Sequence, residues 1–557
     1  MNGTGYLHLL KLAAPEALVV LAALGALFVD VGVMREQGRR TRRLLGAAIA
    51  TLGAFAAGLG LLNLHAYGTA MGGMFATDPL TQWTKVVVLA LTGLTAILSV
   101  ETDFTEHVGE YFALLLLATT GLMFMVSATD VLMVFLSLEL TSLSLYSLAA
   151  LNKASPRSAE AALKYFFFGA LAAAFALYGF SLLYGIAGTT NLAGIAASVR
   201  GRGFDPLLAA AMLMVIVGFG FKVAAVPFHL WAPDAYQGAP TPAAALIASG
   251  SKVASFFLLG KVLTLALPEN AGRAALGHFG AGWMPVLAVL ALASMLLGNL
   301  AALAQHSLKR LLAYSAIAHA GTMLLGVLAL AGAANRAEAY AALLFYAATY
   351  GLTTVGAFGV AAVAERLGEG DGIAGLTEVH PEDFVAPEPA SSGAPACSRL
   401  EIQHVAPSPA QAQSRLQAGA PVSASGCTGL AGLARRSPWL AACLLVMMLS
   451  LAGLPPFAGF PAKFYVFAAA LKVDATNLDL LWLAVVGLAL SPVALYYYLK
   501  VLKQAYMVAP NGTEMRWKLR WPEALAIGLA AAGVLILGIA PGLLLDSLSE
   551  AIRAAGL

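Results

Sequence analysis

Apolar runs of about twenty residues recur along almost the whole chain, each closed by charge or by glycine and proline, and few folds satisfy that pattern. A helix of ~20 apolar residues spans the ~30 Å hydrocarbon core of a bilayer with every backbone group bonded inside the segment. The runs lie near 15–34, 44–63, 81–100, 110–127, 129–151, 159–186, 206–231, 243–266, 283–304, 308–331, 337–364, 438–471, 478–503 and 522–546, fourteen crossings in all. Composition agrees: 60% of the 557 residues are hydrophobic and only 11% are charged, against ~25% charged in soluble domains. The sequence predicts an all-α polytopic membrane protein and excludes a water-soluble enzyme.

A net charge of +3 is a small imbalance on such a chain. It argues against nucleic acid, whose binding needs a dense basic patch. Cys397, Cys427 and Cys443 show no metal, cluster or disulfide spacing. Arg35, Arg39, Arg40, Arg42 and Arg43 follow the first apolar run instead of preceding it, so that run reads as a retained crossing and not as a cleaved signal peptide. Lysine and arginine are held on the cytoplasmic face. This arginine cluster, with Lys153, Arg157, Lys309, Arg310, Arg435, Arg436, Lys500, Lys503, Arg516, Lys518 and Arg520, places the odd-numbered loops inside and both termini outside. Two segments dissent: the acidic ETDFTEHVGE at 101–110 on the inner side, and Arg200 with Arg202 on the outer side. Between 366 and 437 the apolar period stops and Ala, Pro, Ser and Gln dominate, which reads as a solvated, low-complexity cytoplasmic loop.

Ionisable residues at mid-membrane cost about 2.5–3.5 kcal/mol each on the insertion scale and need a reason to be there. Glu139 stands about ten residues into its run, roughly 15 Å deep at 1.5 Å per residue, with Ser142 and Tyr146 on the same face. Lys222 lies in a run interrupted by Gly218, Gly220 and Pro227, the pattern of a broken helix whose freed backbone groups must line protein or a wet cavity. Lys252 is central in the next run, flanked by Ser249 and Ser255. Lys463 follows a second interrupted run, with Gly453, Pro455, Pro456, Gly459 and Pro461. Two broken helices with one buried lysine each point to an internal repeat of a transporter. His229 and His319 are further candidates, since histidine titrates near neutral pH. Lys261 and Lys164 lie nearer span ends and read as snorkelling or interface residues, and Asp30, Asp130 and Asp234 as caps or loop residues. Static ion pairing between helices is the competing reading for Glu139.

Burial disfavours the charged form of acids and bases alike. Glu139, Lys222, Lys252 and Lys463, bridged by serines and water, can therefore act as a proton relay. No nucleotide loop, redox-cofactor motif or nucleophile–base pair accompanies them, and GFG at 218–220 sits inside an apolar run.

The stretches FKVAAVPFHLWAPDAYQGAPTP at 221–242, SLELTSLSLYSL at 137–148, LKRLLAYSAIAHAG at 308–321 and SLAGLPPFAGFPAKFYVF at 450–467 resemble the antiporter-like membrane subunits of respiratory complex I, over nearly the whole chain. The wording at 227–242, and the absence of a lateral helix after the fourteenth run, look most like the subunit N branch. The resemblance implies inverted five-helix repeats at 110–266 and 267–503, preceded by three helices at 1–109 and followed by a last helix at 504–557. It also implies proton movement coupled to NADH oxidation and quinone reduction elsewhere, in a bacterial inner membrane. NADH, flavin, iron–sulfur clusters and quinone would sit in partner subunits, and no cofactor or metal in this chain. By motif, Glu139 matches the family's fifth-helix acid, Lys222 its broken-helix lysine, Lys252 the connecting lysine and Lys463 the exit-side lysine. A Glu139–Lys222 ion pair that opens and closes would then drive charge through Lys252 to Lys463. The 366–437 segment is longer than the family's usual connection. The alternatives are a subunit of a multi-subunit cation/proton antiporter, or a membrane scaffold with static ion pairs. A stand-alone solute carrier fits least.

Overall fold

The computed structural model describes residues 9–64, 67–201, 203–332, 335–368, 429–473, 479–509 and 516–555. The chain opens with α1 (Ala14–Phe28), α2 (Arg39–Leu64) and α3 (Pro79–Leu98). An antiparallel hairpin, β1 (Gly68–Ala70) and β2 (Phe75–Thr77), joins the last two, with Gly68 opposite Thr77. Two groups then follow one order of lengths. In the first, α4 (Val108–Ser127) and α5 (Val131–Ala149) precede the 32-residue α6 (Pro156–Ala187). Next come the short α7 (Leu192–Val199), a broken helix made of α8 (Pro206–Val223) and α9 (Trp231–Gly238), and the kinked pair α10 (Thr241–Ala248) and α11 (Gly250–Ala266). A second hairpin, β3 (Arg273–Ala275) with β4 (His278–Gly280), leads to α12 (Trp283–Leu303), α13 (Leu308–Ala329) and the 31-residue α14 (Arg336–Arg366). The one-turn α15 (Leu433–Arg436), a second broken helix of α16 (Pro438–Ala452) and α17 (Gly459–Leu471), and α18 (Leu481–Tyr506) complete the second group. They are followed by α19 (Trp521–Ile539) and α20 (Gly542–Ala554).

Among the described residues, thirteen helices are long and apolar enough to cross a membrane, and the remaining predicted crossing, 438–471, falls on the pair α16 and α17. Helix starts follow local chemistry. Asp78, Asp130 and Asp205 accept from the first-turn amides of Thr81, Leu132 and Leu208. Proline opens α3, α6, α8 and α16, where its missing N–H costs nothing. The last predicted run, 522–546, is cut short: Pro541 and Gly542 end α19 at Ile539, and the 13-residue α20 turns away to pack on α14 and α3. Of the 366–437 loop, 369–428 lie outside the described residues, as do Cys397 and Cys427. Its far end belongs to the fold, since Leu430 and Leu433 are buried.

The acidic 101–110 segment that disturbs the charge pattern is explained by its partners. Arg39 pairs with Glu106, Arg40 with Glu101, and Arg43 with Asp103, so this loop neutralises the arginine cluster on the same face. Arg520 also reaches Glu101, and Arg42 clamps Asp30 with two 2.6 Å bonds. On the opposite face Arg200 is matched by Glu269 at 3.1 Å.

The peripheral helices α1, α2 and α6 turn leucine and phenylalanine outward, among them Leu52, Phe55, Phe167 and Leu171. By contrast, α10, α11, α13 and α14 are buried along almost their entire length. This central spine carries polar side chains that no lipid touches.

Candidate functional site

The first break begins with an arithmetic fact of the helix. In a continuous α-helix the Val223 carbonyl would accept from residue 227, which is proline and has no N–H. The helix stops instead. Ala224 turns left-handed (φ 57°, ψ 43°), and Ala225 N–H returns to the Gly220 carbonyl at 2.8 Å. The Trp231 indole donates to the Phe221 carbonyl at 3.1 Å. A side chain at Gly220 would meet the Phe228 ring at 2.6 Å, so the close return of the chain needs glycine there. The Val223 oxygen is taken by Lys252 Nζ at 2.9 Å, which also donates to the Ala316 carbonyl of α13 at 3.1 Å. Lys222, in the last turn of α8, donates to Ser142 Oγ of α5 at 2.9 Å.

The second break repeats the device. Leu451 and Ala452 would accept from residues 455 and 456, and both are proline. Gly453 ends α16 at φ 86°, and Lys463 Nζ claims both oxygens, at 3.3 and 2.8 Å. Each unpaired carbonyl in hydrocarbon would cost several kcal/mol. In both breaks prolines create the orphan and a lysine ammonium satisfies it.

Near both Lys252 of α11 and Lys463 of α17 lies His319. Its Nδ1 is 2.7 Å from the Tyr346 hydroxyl and its Nε2 3.1 Å from that of Tyr498, which is also bonded to Ser315. His319 feels the charges of both Lys252 and Lys463. A cavity of about 20 Å³ joins His319 and Lys463, lined also by Asn299, Thr322 and Tyr497. A smaller one of about 10 Å³ joins the same two residues past Tyr346, Thr353 and Ser450. A space of ~10–15 Å³ holds one water, and these walls are polar enough to bind it.

The structure thus places Lys252 on the carbonyl next to Lys222 and His319 within electrostatic reach of Lys252 and on cavities shared with Lys463, while the Lys222 side chain turns to Ser142 and Glu139 stands at the edge. Glu139 is half-buried beside the outward-facing Leu132, Leu136 and Leu143. It feels the charge of Lys222 but is not in ion-pair contact with it, because the lysine is turned one helical turn away to Ser142. The expected Glu139–Lys222 pair is therefore open. His229 is buried in the first break, and its Nδ1 has no partner among the described residues.

Lys261 does not snorkel. It is buried, with Nζ on the Val126 carbonyl at 3.1 Å, because α11 packs against α3 and α4 at this level. Lys164 stays at the surface as expected and bridges Glu160 and Asp234. Asp130 caps α5, while Asp30 and Asp234 are ion-paired to Arg42 and to Lys164 with Arg310. Sequence reasoning missed the tyrosine pair around His319, which gives no pattern signal. It also missed the buried Glu16–Lys85 pair, where a glutamate in the first apolar run and a lysine in the third were a usable signal.

A family model described as "NADH:quinone oxidoreductase/Mrp antiporter, TM" matches residues 128–379 and 419–491, leaving unmatched 380–418 within the long loop. NADH-quinone oxidoreductase subunit N 2 of Acidobacterium capsulatum is 43% identical over 556 residues, 98% of this chain and 99% of that one. A chain of respiratory complex I from Thermus thermophilus superposes with TM-score 0.69 at 32% identity, covering 96% of this chain and 99% of that one. A chain of the Mrp complex from Dietzia sp. shares the fold at TM-score 0.73 and 20% identity, over 98% and 97% of the two chains. The chain belongs to the NADH:quinone oxidoreductase/Mrp antiporter family of membrane subunits, within its subunit N branch.

Proposed function

We propose that this chain is a proton-translocating membrane subunit of a respiratory NADH:quinone oxidoreductase, in which protons pass along Lys222, Lys252, His319 and Lys463 while quinone is reduced in other subunits. The observation that supports this reading is the set of buried ionisable side chains gathered along the central helices. Lys222 adjoins the carbonyl that holds Lys252, and His319 lies near both Lys252 and Lys463 with room for water on the Lys463 side. On the face of the arginine cluster, a cavity of about 380 Å³ lined by Asp103, Arg157, Lys309 and Glu365 reaches Thr241, the first residue of α10, and serves as the inlet.

Glu139 acts as the coupling charge. When a charge on a neighbouring subunit moves, Lys222 swings between Ser142 and Glu139, and the stability of its ammonium changes with it. The repeated order of helix lengths supports two antiporter-like units, 110–266 and 267–503. The paired arginine and acidic loops support a cytoplasmic location for that face of a bacterial inner membrane, with the termini outside. NADH, flavin, iron–sulfur clusters and quinone belong to the partner subunits.

The test is the whole complex in proteoliposomes. Lys222→Met and Glu139→Gln are expected to assemble and to lower proton uptake per quinone reduced. Full pumping in either well-assembled variant would count against the relay. The competing reading is an antiporter subunit of the Mrp type, supported by the shared fold and by the family model that spans both kinds of subunit. Co-purification of iron–sulfur subunits with NADH oxidation activity separates the two.

A further inference from the structure

Three charged side chains meet away from the central row, in a place the proposed path does not use. Glu16 of α1 and Lys85 of α3 lie 2.6 Å apart and are 1% and 0% exposed. Lys261 stands nine positions beyond Lys252 on α11, about half a turn round the helix at ~100° per residue. It therefore faces α4 and not the central row, and takes the Val126 carbonyl left over where α4 ends at Ser127. Lys85 sits 4.9 Å over the Phe75 ring, and Phe75 bridges to Ala128 just past α4, so hairpin β1–β2 closes over the group. Lys261 feels the charges of both Lys85 and Asp78, and Asp78 at the start of α3 is partly open to solvent. From α14, Tyr340, bonded to Thr264 at 2.8 Å, and Arg336 face the same region.

The pair is poorly built as a static clamp. Glu16 and Lys85 touch without hydrogen-bond alignment, and neither Glu16 oxygen nor Lys85 Nζ has a hydrogen-bond partner among the described residues. Thr77 Oγ1 and Ser127 Oγ, buried beside Asp78 and Val126 respectively, are also unpartnered. A lysine offers three donors and a carboxylate about four acceptor sites. A buried ion pair repays its desolvation only when those are filled. At 2.6 Å the two buried groups are close enough to pass a proton directly from ammonium to carboxylate.

We propose that Glu16, Lys85 and Lys261 form a second proton-exchange site, which discharges through Asp78 to the side of the membrane where hairpin β1–β2 lies. The Lys85 ammonium gives a proton to the Glu16 carboxylate, the N–H bond breaking as the O–H bond forms, which leaves a neutral amine and a neutral acid. The acid then passes the proton to the Asp78 carboxylate and on to water. Glu16 is left as carboxylate beside a neutral Lys85, with one proton released. Uptake runs the same steps in reverse. The positive charge of Lys261 opposes a full load on Lys85 and so sets the occupancy. This inference rests on the proton-translocating reading above.

Glu16→Gln with Lys85→Met removes both charges together and leaves no buried charge unpaired, so it is expected to assemble normally. Proton release per quinone reduced, measured with the complex in proteoliposomes, should slow by at least about tenfold. Wild-type release from that double variant would overturn the proposal and leave an ordinary ion pair. Should the double variant fail to assemble, Asp78→Asn decides, because asparagine keeps the helix cap but cannot accept the proton. Slowed release supports the site and unchanged release overturns it. Lys222→Met in the same vesicles separates the two levels. Normal pumping in Lys222→Met sinks the central relay, whereas normal pumping in the double variant beside a defective Lys222→Met sinks only this site.

Discussion

Lys222 and Ser142 are joined by a 2.9 Å hydrogen bond, and Glu139, one turn earlier on the same helix as Ser142, is left out of contact. A hydrogen bond to a charged group contributes about 1.5–3 kcal/mol, and about 1.4 kcal/mol is a tenfold change in rate. Ser142→Ala should therefore slow proton pumping by about tenfold or more while the complex still assembles, and Ser142→Thr should restore it. Unaltered pumping in the alanine variant would show that the hydroxyl does not hold the lysine.

Gly453 stands at φ 86°, and a methyl group there would lie 2.8 Å from Lys463 Cδ. Gly453→Ala combines left-handed strain of about 1–2 kcal/mol with a push on the lysine that holds the Ala452 carbonyl. We expect a lower thermal midpoint for the purified complex together with slower pumping. A variant that loses stability but pumps at the normal rate would mean that the exact seat of Lys463 is unimportant.

Glu101 is fully buried and accepts from Arg40 at 2.9 Å and from Arg520, tying together the ends of α2, α3 and α19 on the face of the arginine cluster. Both arginines are about half exposed, so water takes over part of what they lose when the carboxylate is removed and the effect stays local. Glu101→Ala should make the 516–520 segment more accessible to limited proteolysis with little change in pumping. Protection equal to wild type would contradict the clamp.

Asp234 supplies a pH dependence. Burial alone would raise its carboxyl, but the hydrogen bonds from Lys164 and Arg310 outweigh burial and hold it below its ordinary value of 3.8. A lowered carboxyl contributes stability that is present in full above the unfolded value and is lost as pH falls through the folded one. The docking of α9 on α6 and α13 should therefore weaken below about pH 4. Hydrogen exchange in α9 should accelerate across that window in the wild type. In Asp234→Asn it should already be faster at neutral pH and show less acid response. Equal acid responses would remove Asp234 from the account.

Crossings and central lysines were legible because both signals are local. A run of twenty apolar residues needs no partner to be recognised, and a lysine in its middle is conspicuous wherever the helix packs. The breaks were legible for the same reason, since glycine and proline act on their own backbone. Lys261 was not. Its distance from the helix end suggests a side chain free to reach the surface, and only tertiary packing that sets it on the end of α4 closes that route. Glu16 and Lys85 were missed likewise: each lies within two turns of a helix start, and their burial depends on how α1 and α3 sit against α4 and α11. The half-exposed Glu139 shows the converse. Depth along a helix was readable, whereas the direction a side chain takes around it was set by tertiary packing.

The prolines of the two breaks have a consequence for how far this sequence can drift. Val223 precedes Pro227 by four positions, as Leu451 and Ala452 precede Pro455 and Pro456, and in each case a lysine from elsewhere occupies the surrendered oxygen. Insert or delete one residue in that interval and the vacant acceptor rotates by about 100° around the helix, out of the amine's grasp. These short stretches should therefore tolerate exchange of side chains far better than any change of length, with spacing acting as the inherited quantity.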